Sequence, residues 1–587
     1  MSPEPRPDAP PRPDPVGTAT FAEHPPRGFR GVFRTDEGAR AVYAEAAGIA
    51  QAWPRAVAVP RDAGDVVRLA RWAGEARIPL VPRGAGSSMA GGAIGDGVIV
   101  DLGALDALPP PNAVTRRVLV GPGAVAAAVD EAAAMRGLRL PVDPSSWAFC
   151  TVGGMAACNA AGAHSLAHGA MRAWVTALDC VFADGTRAVV RRGAPLPRVP
   201  AIARFMGEVA PAVRAAAAAG VALERGVRKE SSGYALGAWA RDGELVDLLV
   251  GSEGSLALFV GVELALAERP GATSSVLGAF TTLEGAVEAA TRARDVGAAA
   301  CELLDRTFLD VAAAGGHARW RAPAGTEAVL LAEVEGADAA AAGAAARALR
   351  RAFETAGAHE VVLALDPAAE RAVWALRHAA SPTLARLDPA LKSMQVIEDA
   401  AVPPTALPAY VRGVRAALAR QGLRGVIFGH AGDAHVHVNP LIDVRAPNWR
   451  ARLSALLDEV TTLTAELGGT LAGEHGDGRL RTPLLGRTWS AEAMALFAAT
   501  KRAFDPLGIL NPGVKVPLPG QRPLAQVKYD PALPPLPPPA RRALDQVATA
   551  RAYARPRLTL LAEAERAAGP RSVGPASVGA ASVGPAS

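Results

Sequence analysis

Cysteine is scarce in this 587-residue chain, which has only Cys150, Cys158, Cys180 and Cys301. No two of them stand in a CxxC pattern, so neither a zinc ribbon nor an iron–sulfur cluster can be assembled by a usual spacing. Scarce cysteine favours a reducing cytoplasm. Charge is sparse as well: 62 basic and 57 acidic residues leave a net +5, and most basic positions are isolated arginines among alanines. Without a basic stripe interleaved with aromatics, a nucleic-acid partner is excluded. No apolar run reaches membrane-spanning length before a charge interrupts it. The opening MSPEPRPDAPPRPDP is proline-rich and acidic where a signal peptide would be basic and then apolar. These absences predict a soluble protein without a transmembrane segment, cytoplasmic or peripheral at the inner face of a membrane.

What is present is a globular composition, 50% hydrophobic, in a chain too long for one core. Residues 1–35 read as a disordered lead. Residues 521–587, with PALPPLPPPARR and the closing SVGPA, SVGAA, SVGPA repeats, read as a proline-rich, low-complexity tail. Neither end is expected to carry catalysis. Between them, residues 36–270 alternate β-branched runs such as GVIVDL and DCVFADGTRAVV with Ala-rich helical segments. Residues 271–520 repeat strand-then-helix units and then pair LRGVIFGH with HVHVNPL, which predicts an antiparallel sheet with helices on one face and the histidines near its edge.

Four of the ten histidines fall in two short glycine-rich segments, FGHAGDAHVHVN (Phe428 to Asn439) and GEHGDG (Gly473 to Gly478). Strand alternation sends His435, His437 and Asn439 to one face and Val436 and Val438 to the other. A turn at Gly432 and Asp433 can fold His430 back beside them, and Glu474 can add an oxygen from a separate loop. This predicts a divalent-cation site of His430, His437 and Glu474, with His435 or Asn439 nearby. Imidazole with one carboxylate suits zinc, manganese or iron(II), with zinc or manganese preferred.

The first half lacks a strand-GxGxxG-helix unit followed by an acidic residue, so a nicotinamide site is poorly supported. It holds other glycine loops instead: PRGAGSS from Pro82, DPSSWAFCTVGGMAACNAAGAHS from Asp143 and GSEGS from Gly251. Gly84 and Gly86 let backbone amides approach an anion while Ser87 and Ser88 add hydroxyls, as a diphosphate requires. Taken in order with GHAGD, GEHGDG and FDPLGILNPGVK, these segments resemble the FAD-linked dehydrogenases of the vanillyl-alcohol-oxidase superfamily. The resemblance is to the branch of glycolate oxidase flavin subunits, D-lactate dehydrogenases and D-2-hydroxyglutarate dehydrogenases, and it runs over about residues 50–515.

That resemblance implies an α+β architecture, with a two-subdomain FAD-binding domain of the vanillyl-alcohol-oxidase (PCMH) type followed by a substrate domain of antiparallel sheet plus helices. By the same resemblance Pro82, Arg83, Gly84, Ala85, Gly86, Ser87 and Ser88 form the diphosphate loop. Pro144, Ser145, Ser146, Thr151, Gly153, Gly154, Asn159 and Gly162 line the flavin, Glu253 and Gly254 lie near the adenosine, and Asn511 closes the site. The first loop has no histidine of the kind that carries covalent flavin in some relatives, so FAD is expected to be non-covalent, although Cys150 lies near where others attach a cysteine.

Arg377, Ser381 and Lys392 resemble the family's carboxylate-holding Arg, Thr and Lys, and Arg377 and Ser381, four apart, share a helix face. The implied reaction is metal-assisted oxidation of a small D-2-hydroxy acid to the 2-oxo acid, with His475 as base. Electrons would leave to a quinone, an electron-transfer flavoprotein or an iron–sulfur subunit, and a homodimer is compatible with the reading. Three departures stand out: Ala434-His435 where the family has Gly-Asn, Ser381-Pro382 at the threonine, and Ala235 where an acidic residue is common. The rival readings are a superfamily member that uses FAD without net oxidation, a metal-dependent hydrolase, and a flavin-free scaffold worked by its tails.

Overall fold

The computed structural model describes residues 24–314, 320–378 and 390–568. Ser381, the first 23 residues and the closing repeats lie outside them. The first sheet has strand order 32–34, 56–59, 98–101, 80–83, the last three parallel to one another. Parallel pairing needs a crossover, and the helix Ala63–Ala76 supplies it, capped by Asp62, whose side chain accepts from the Asp65 amide. Strand Leu80–Arg83 therefore delivers its carboxyl end straight into Gly84–Ser88, where open α/β sheets bind ligands. A second, antiparallel sheet (117–120, 258–265, 175–181, 187–191) carries the other half of the amino-terminal region.

The carboxy-terminal region is built on an eight-stranded sheet, antiparallel in every pairing described, with path 360–364, 272–280, 328–336, 300–305, 424–430, 435–443, 391–393 and with 400–401 beside 435–443. The histidine hairpin lies one strand in from the edge formed by Leu391–Ser393. Helices on one face only were expected; they occupy both. Val276, Leu303, Leu330, Val436 and Val438 pack with one set of helices, and on the opposite face Leu277, Leu304 and Leu331 meet Phe308, Val373 and Leu376 from Arg306–Ala314 and Pro367–His378. Strands apolar on both faces need two cover layers.

The ends of the described chain also differ from expectation. Val32–Arg34, inside the expected lead, pairs with Ala56–Val59. Pro538–Ala550 and Arg557–Ala567 are helices within the stretch read as low-complexity tail. Their Leu544, Val547, Leu560 and Leu561 are buried against Tyr43 of the helix Glu37–Tyr43 and against Val57, Val81 and Ile99 of the first sheet. The proline count concealed an amphipathic pair: Pro538 and Pro539 sit at the helix start, where a missing amide costs nothing.

Charged pairs pin the two halves together. His164 places Nδ1 2.6 Å from Asp143 and Nε2 2.9 Å from Glu333 on the large sheet, and Arg139 pairs with Glu335 at 2.7 Å. Burial disfavours the His164 cation, but the carboxylates of Asp143 and Glu333 outweigh it and hold its pKa well above the ordinary value. A raised folded-state pKa contributes stability that is complete below about pH 6.5 and is lost as pH climbs through the raised value. His164→Gln should therefore lower the melting temperature by about 2 °C at pH 6, and thermal scans should show that gap narrowing steadily as the pH is raised toward 9.

Candidate functional site

A cavity of about 1380 Å³ runs between the two halves, larger than the ~300–1,000 Å³ of a single small-ligand site. Its walls include Pro82–Ser88, Pro144–Ser146, Thr151, Gly153, Gly154, Glu253 and Gly254 on one side, and Arg377, Lys392, His430, His437, Glu474 and His475 on the other. The sequence-expected cofactor and substrate residues thus meet in one space. Three expected wall residues stand behind it: Asn159, whose Nδ2 donates to the Glu230 carbonyl, Gly162, packed against Asp143, and Asn511, whose Nδ2 donates to the carbonyls of Gly92 and Glu253. They hold the loops that form the wall.

The glycine loop fits a diphosphate. A Cβ on Gly84 would lie 2.2 Å from Thr151 Oγ1, and Gly86 has φ +70°, so neither position tolerates a side chain. Ser88 Oγ and Thr151 Oγ1 are buried without a partner, which is the condition of donors that await an acceptor. Arg83 differs from the expected phosphate ligand: it donates to the carbonyls of Tyr43, Glu45 and Ala93, and so braces the loop from behind. Glu253 is likewise turned from an adenosine role. Its carboxylate accepts from the Asp477 and Gly478 amides and pairs with Lys515 at 3.1 Å, fastening GEHGDG to the amino-terminal half. Cys150 is on the wall with its thiol pushed up to about 11 by burial, so it is a protonated thiol rather than a nucleophile.

At the other end the turn Ala431–Asp433, closed by Ala434 at φ +55°, folds His430 back beside His435 and His437. The Nε2 atoms of His430 and His437 lie 3.3 and 3.5 Å from Glu474 Oε1. A tetrahedral cation with bonds of ~2.1 Å spaces its ligands by about 3.4 Å, so this set has the spacing of a coordination shell. His430, His435, His437 and Glu474 are all buried, and their ligand atoms lie within 4.8 Å of one another. Each imidazole spends its other nitrogen on an acceptor: His430 Nδ1 on Glu302 at 2.5 Å, His437 Nδ1 on the Glu398 carbonyl at 2.6 Å, His435 Nε2 on Asp399 at 3.0 Å. Such acceptors fix the tautomer and aim the free lone pair. His435 is left with a buried Nδ1 that has no partner, and burial drives its pKa down to about 4, keeping it neutral. His475, the least buried of the four, holds Nδ1 2.6 Å from Glu398.

Glu302, Glu398, Asp399 and Lys229 escaped the sequence reading. Glu302 stands directly across the strands from His430 and also accepts from Arg377 Nε at 2.6 Å, and Lys229 pairs with Glu474 at 2.9 Å. The available signal was acid inside apolar runs, in AACELLD and VIEDAAV, because a buried carboxylate needs a partner. Ser381 cannot be placed beside Arg377, as it lies outside the described residues.

Residues 54–191 match the FAD binding domain and residues 269–514 the C-terminal domain of FAD linked oxidases. Glycolate oxidase subunit GlcD of Escherichia coli strain K12 is 29% identical over 468 residues, 79% of this chain and 84% of its own length. A D-2-hydroxyglutarate dehydrogenase of Xanthomonas citri is 28% identical over 470 residues, 78% of this chain and 89% of its own, and a D-lactate dehydrogenase of Archaeoglobus fulgidus is 28% identical over 462 residues, 78% and 90%. Among solved structures, 4-ethylphenol oxidase from Gulosibacter chungangensis shares the fold with a TM-score of 0.62 at 15% identity, over 84% of this chain and 94% of that one. With both domain matches bordering one cavity, the chain belongs to the FAD-linked oxidases and is an FAD-linked oxidoreductase.

Proposed function

We propose that this protein is a metal-assisted FAD dehydrogenase that oxidises a small D-2-hydroxy acid to the 2-oxo acid. The observation that carries the reading is the far end of the cavity, where a cation-ligand set, two side-chain cations and a histidine base converge on space continuous with the flavin loops. When bound, FAD would supply a two-electron acceptor, and a divalent cation, zinc or manganese, would polarise the substrate hydroxyl. His430, His437 and Glu474 would hold the cation, with the unpartnered Nδ1 of His435 as a fourth donor.

Arg377 and Lys392 anchor the substrate carboxylate and so orient the α-carbon. His475 takes the hydroxyl proton at Nε2, while Glu398 on Nδ1 holds the ring in position and stabilises the resulting cation. The D configuration and the 2-hydroxy acid class are supported by the names of the relatives, which share that substrate chemistry. The four cysteines are free and scattered, so electrons leave to a separate acceptor: a quinone, an electron-transfer flavoprotein or an iron–sulfur subunit.

Purified protein mixed anaerobically with a panel of D- and L-2-hydroxy acids should lose its visible flavin band with one D-acid. A chelator should abolish the loss, and added zinc or manganese should restore it. A flavin-replete protein that no acid bleaches would sink the proposal. His475→Asn should slow the bleaching by about 10²–10⁴ in stopped-flow absorbance while the protein stays yellow; equal rates would remove His475 from the chemistry.

A further inference from the structure

The matched family domains end at Lys515's neighbour Val514, yet the described chain continues to residue 568 and turns back onto the cavity. Tyr529 lines it beside Lys392, whose ammonium lies 5.3 Å from the ring centroid. Ala548, Thr549, Ala550, Arg551 and Tyr553 form another part of the wall. Arg551 donates from Nη2 to the Ser145 carbonyl and sits 5.0 Å over Phe149, against which Tyr553 stacks at 5.0 Å. Arg551 occupies the left-handed position after a helix, at φ +52°, where glycine would be cheaper. Among the described residues no carboxylate pairs with it.

Behind the phosphate loop the charge is unbalanced. Arg557, 3% exposed, donates from Nη2 to the Ala85 carbonyl at 2.9 Å, and its Nε has no partner. Arg83, also 3% exposed, lies close enough to repel it, and its Nη2 is orphaned. Burial together with the Arg83 charge pulls Arg557 down to about 10. Asp101 is a carboxylate that acts on both, and it is occupied by the Tyr43 hydroxyl at 2.5 Å. Two buried guanidiniums lie beside a loop shaped for an anion, without an ion pair to a carboxylate among the described residues, and buried charge of one sign calls for a counter-charge.

We propose that the carboxy-terminal extension is a working part of the cofactor site: Arg557 supplies a second buried cation behind the diphosphate loop, and Arg551 with Tyr553 walls the cavity, so that the extension retains a dinucleotide through its diphosphate. This rests on the FAD reading above and reverses the expectation that the tail is dispensable. Cutting the chain at residue 520 would uncover Tyr43, Val57, Val81 and Ile99 and confuse folding with binding, so the test uses full-length holoprotein. Free-flavin fluorescence after dilution reports FAD release. Arg551→Gln and Arg557→Gln should each release FAD about tenfold faster than wild type, the excess shrinking in high salt for the exposed Arg551. The nearby exposed Arg555→Gln, which loses only a pair with Glu563, should match wild type. Melting of the flavin-free proteins separates the roles: Arg551→Gln should melt with wild-type apoprotein. Release within twofold of wild type in both variants, or equal acceleration by Arg555→Gln, would overturn the inference alone. A wild-type protein that takes up no FAD would overturn the flavin reading with it.

Discussion

The carboxylate of Asp399 is the interaction on which the reactive end depends. It is wholly buried, and it accepts from His435 Nε2 at 3.0 Å, from the Glu474 amide at 3.2 Å, from the His475 amide at 2.9 Å and from Arg481 at 3.3 Å. Burial alone would favour its neutral form, but His475 once protonated, the Arg481 cation and the His435 hydrogen bond hold it below the ordinary carboxylate range. One side chain thereby joins two motifs that lie about forty residues apart in the chain. Because a buried carboxylate stripped of donors is costly, the two loops cannot separate without exposing that cost.

The same logic operates one layer out. Lys515, fully buried, pairs with Asp477 at 2.9 Å and Glu253 at 3.1 Å, and donates to the Ser231 carbonyl. These residues come from the segment just past the end of the family match, the GEHGDG loop and the amino-terminal half. Arg481 bonds Glu398 and the Gly476 carbonyl. Glycines permit the arrangement: a Cβ on Gly476, at φ +79°, would come 2.5 Å from Glu253 Oε1, and one on Gly478 would strike the Ala90 carbonyl at 2.0 Å. Gly476 and Gly478 therefore serve close approach between the two halves, while Glu474 and His475 face the cavity.

What could be read from sequence was what is periodic or locally clustered. The alternation in HVHVN placed Val436 and Val438 in the core and the histidines together, and PRGAGSS announced a strand end followed by a loop too bare to be packing. What could not be read was pairing across long separations. Glu302 meets His430 only because two strands align in register, Lys229 reaches Glu474 from a segment with no local signal, and Arg83, expected to face phosphate, turns inward because carbonyls from residues 43–45 and 93 lie within its reach. The tail was misjudged because proline content was read without the apolar spacing of Leu544, Val547, Leu560 and Leu561.

Ala434-His435, standing where the resemblance leads one to expect Gly-Asn, is best understood as one unit. Ala434 holds a left-handed backbone at φ +55° that costs an alanine about 1 kcal/mol relative to glycine. The conformation persists because neighbours fix it from both sides: the Ala434 amide donates to the Ala431 carbonyl, and its own carbonyl accepts from the Val402 amide. That second bond joins the histidine hairpin to the segment that carries Asp399, three residues before Val402. An asparagine at 435 would lack the reach of an imidazole with two nitrogens on opposite sides of a ring; His435 uses one to engage Asp399 and leaves the other among the cation ligands. The strain at 434 is thus borne by the bonds that bring Asp399 within range of His435, and the altered residue at 435 is the one that uses that proximity.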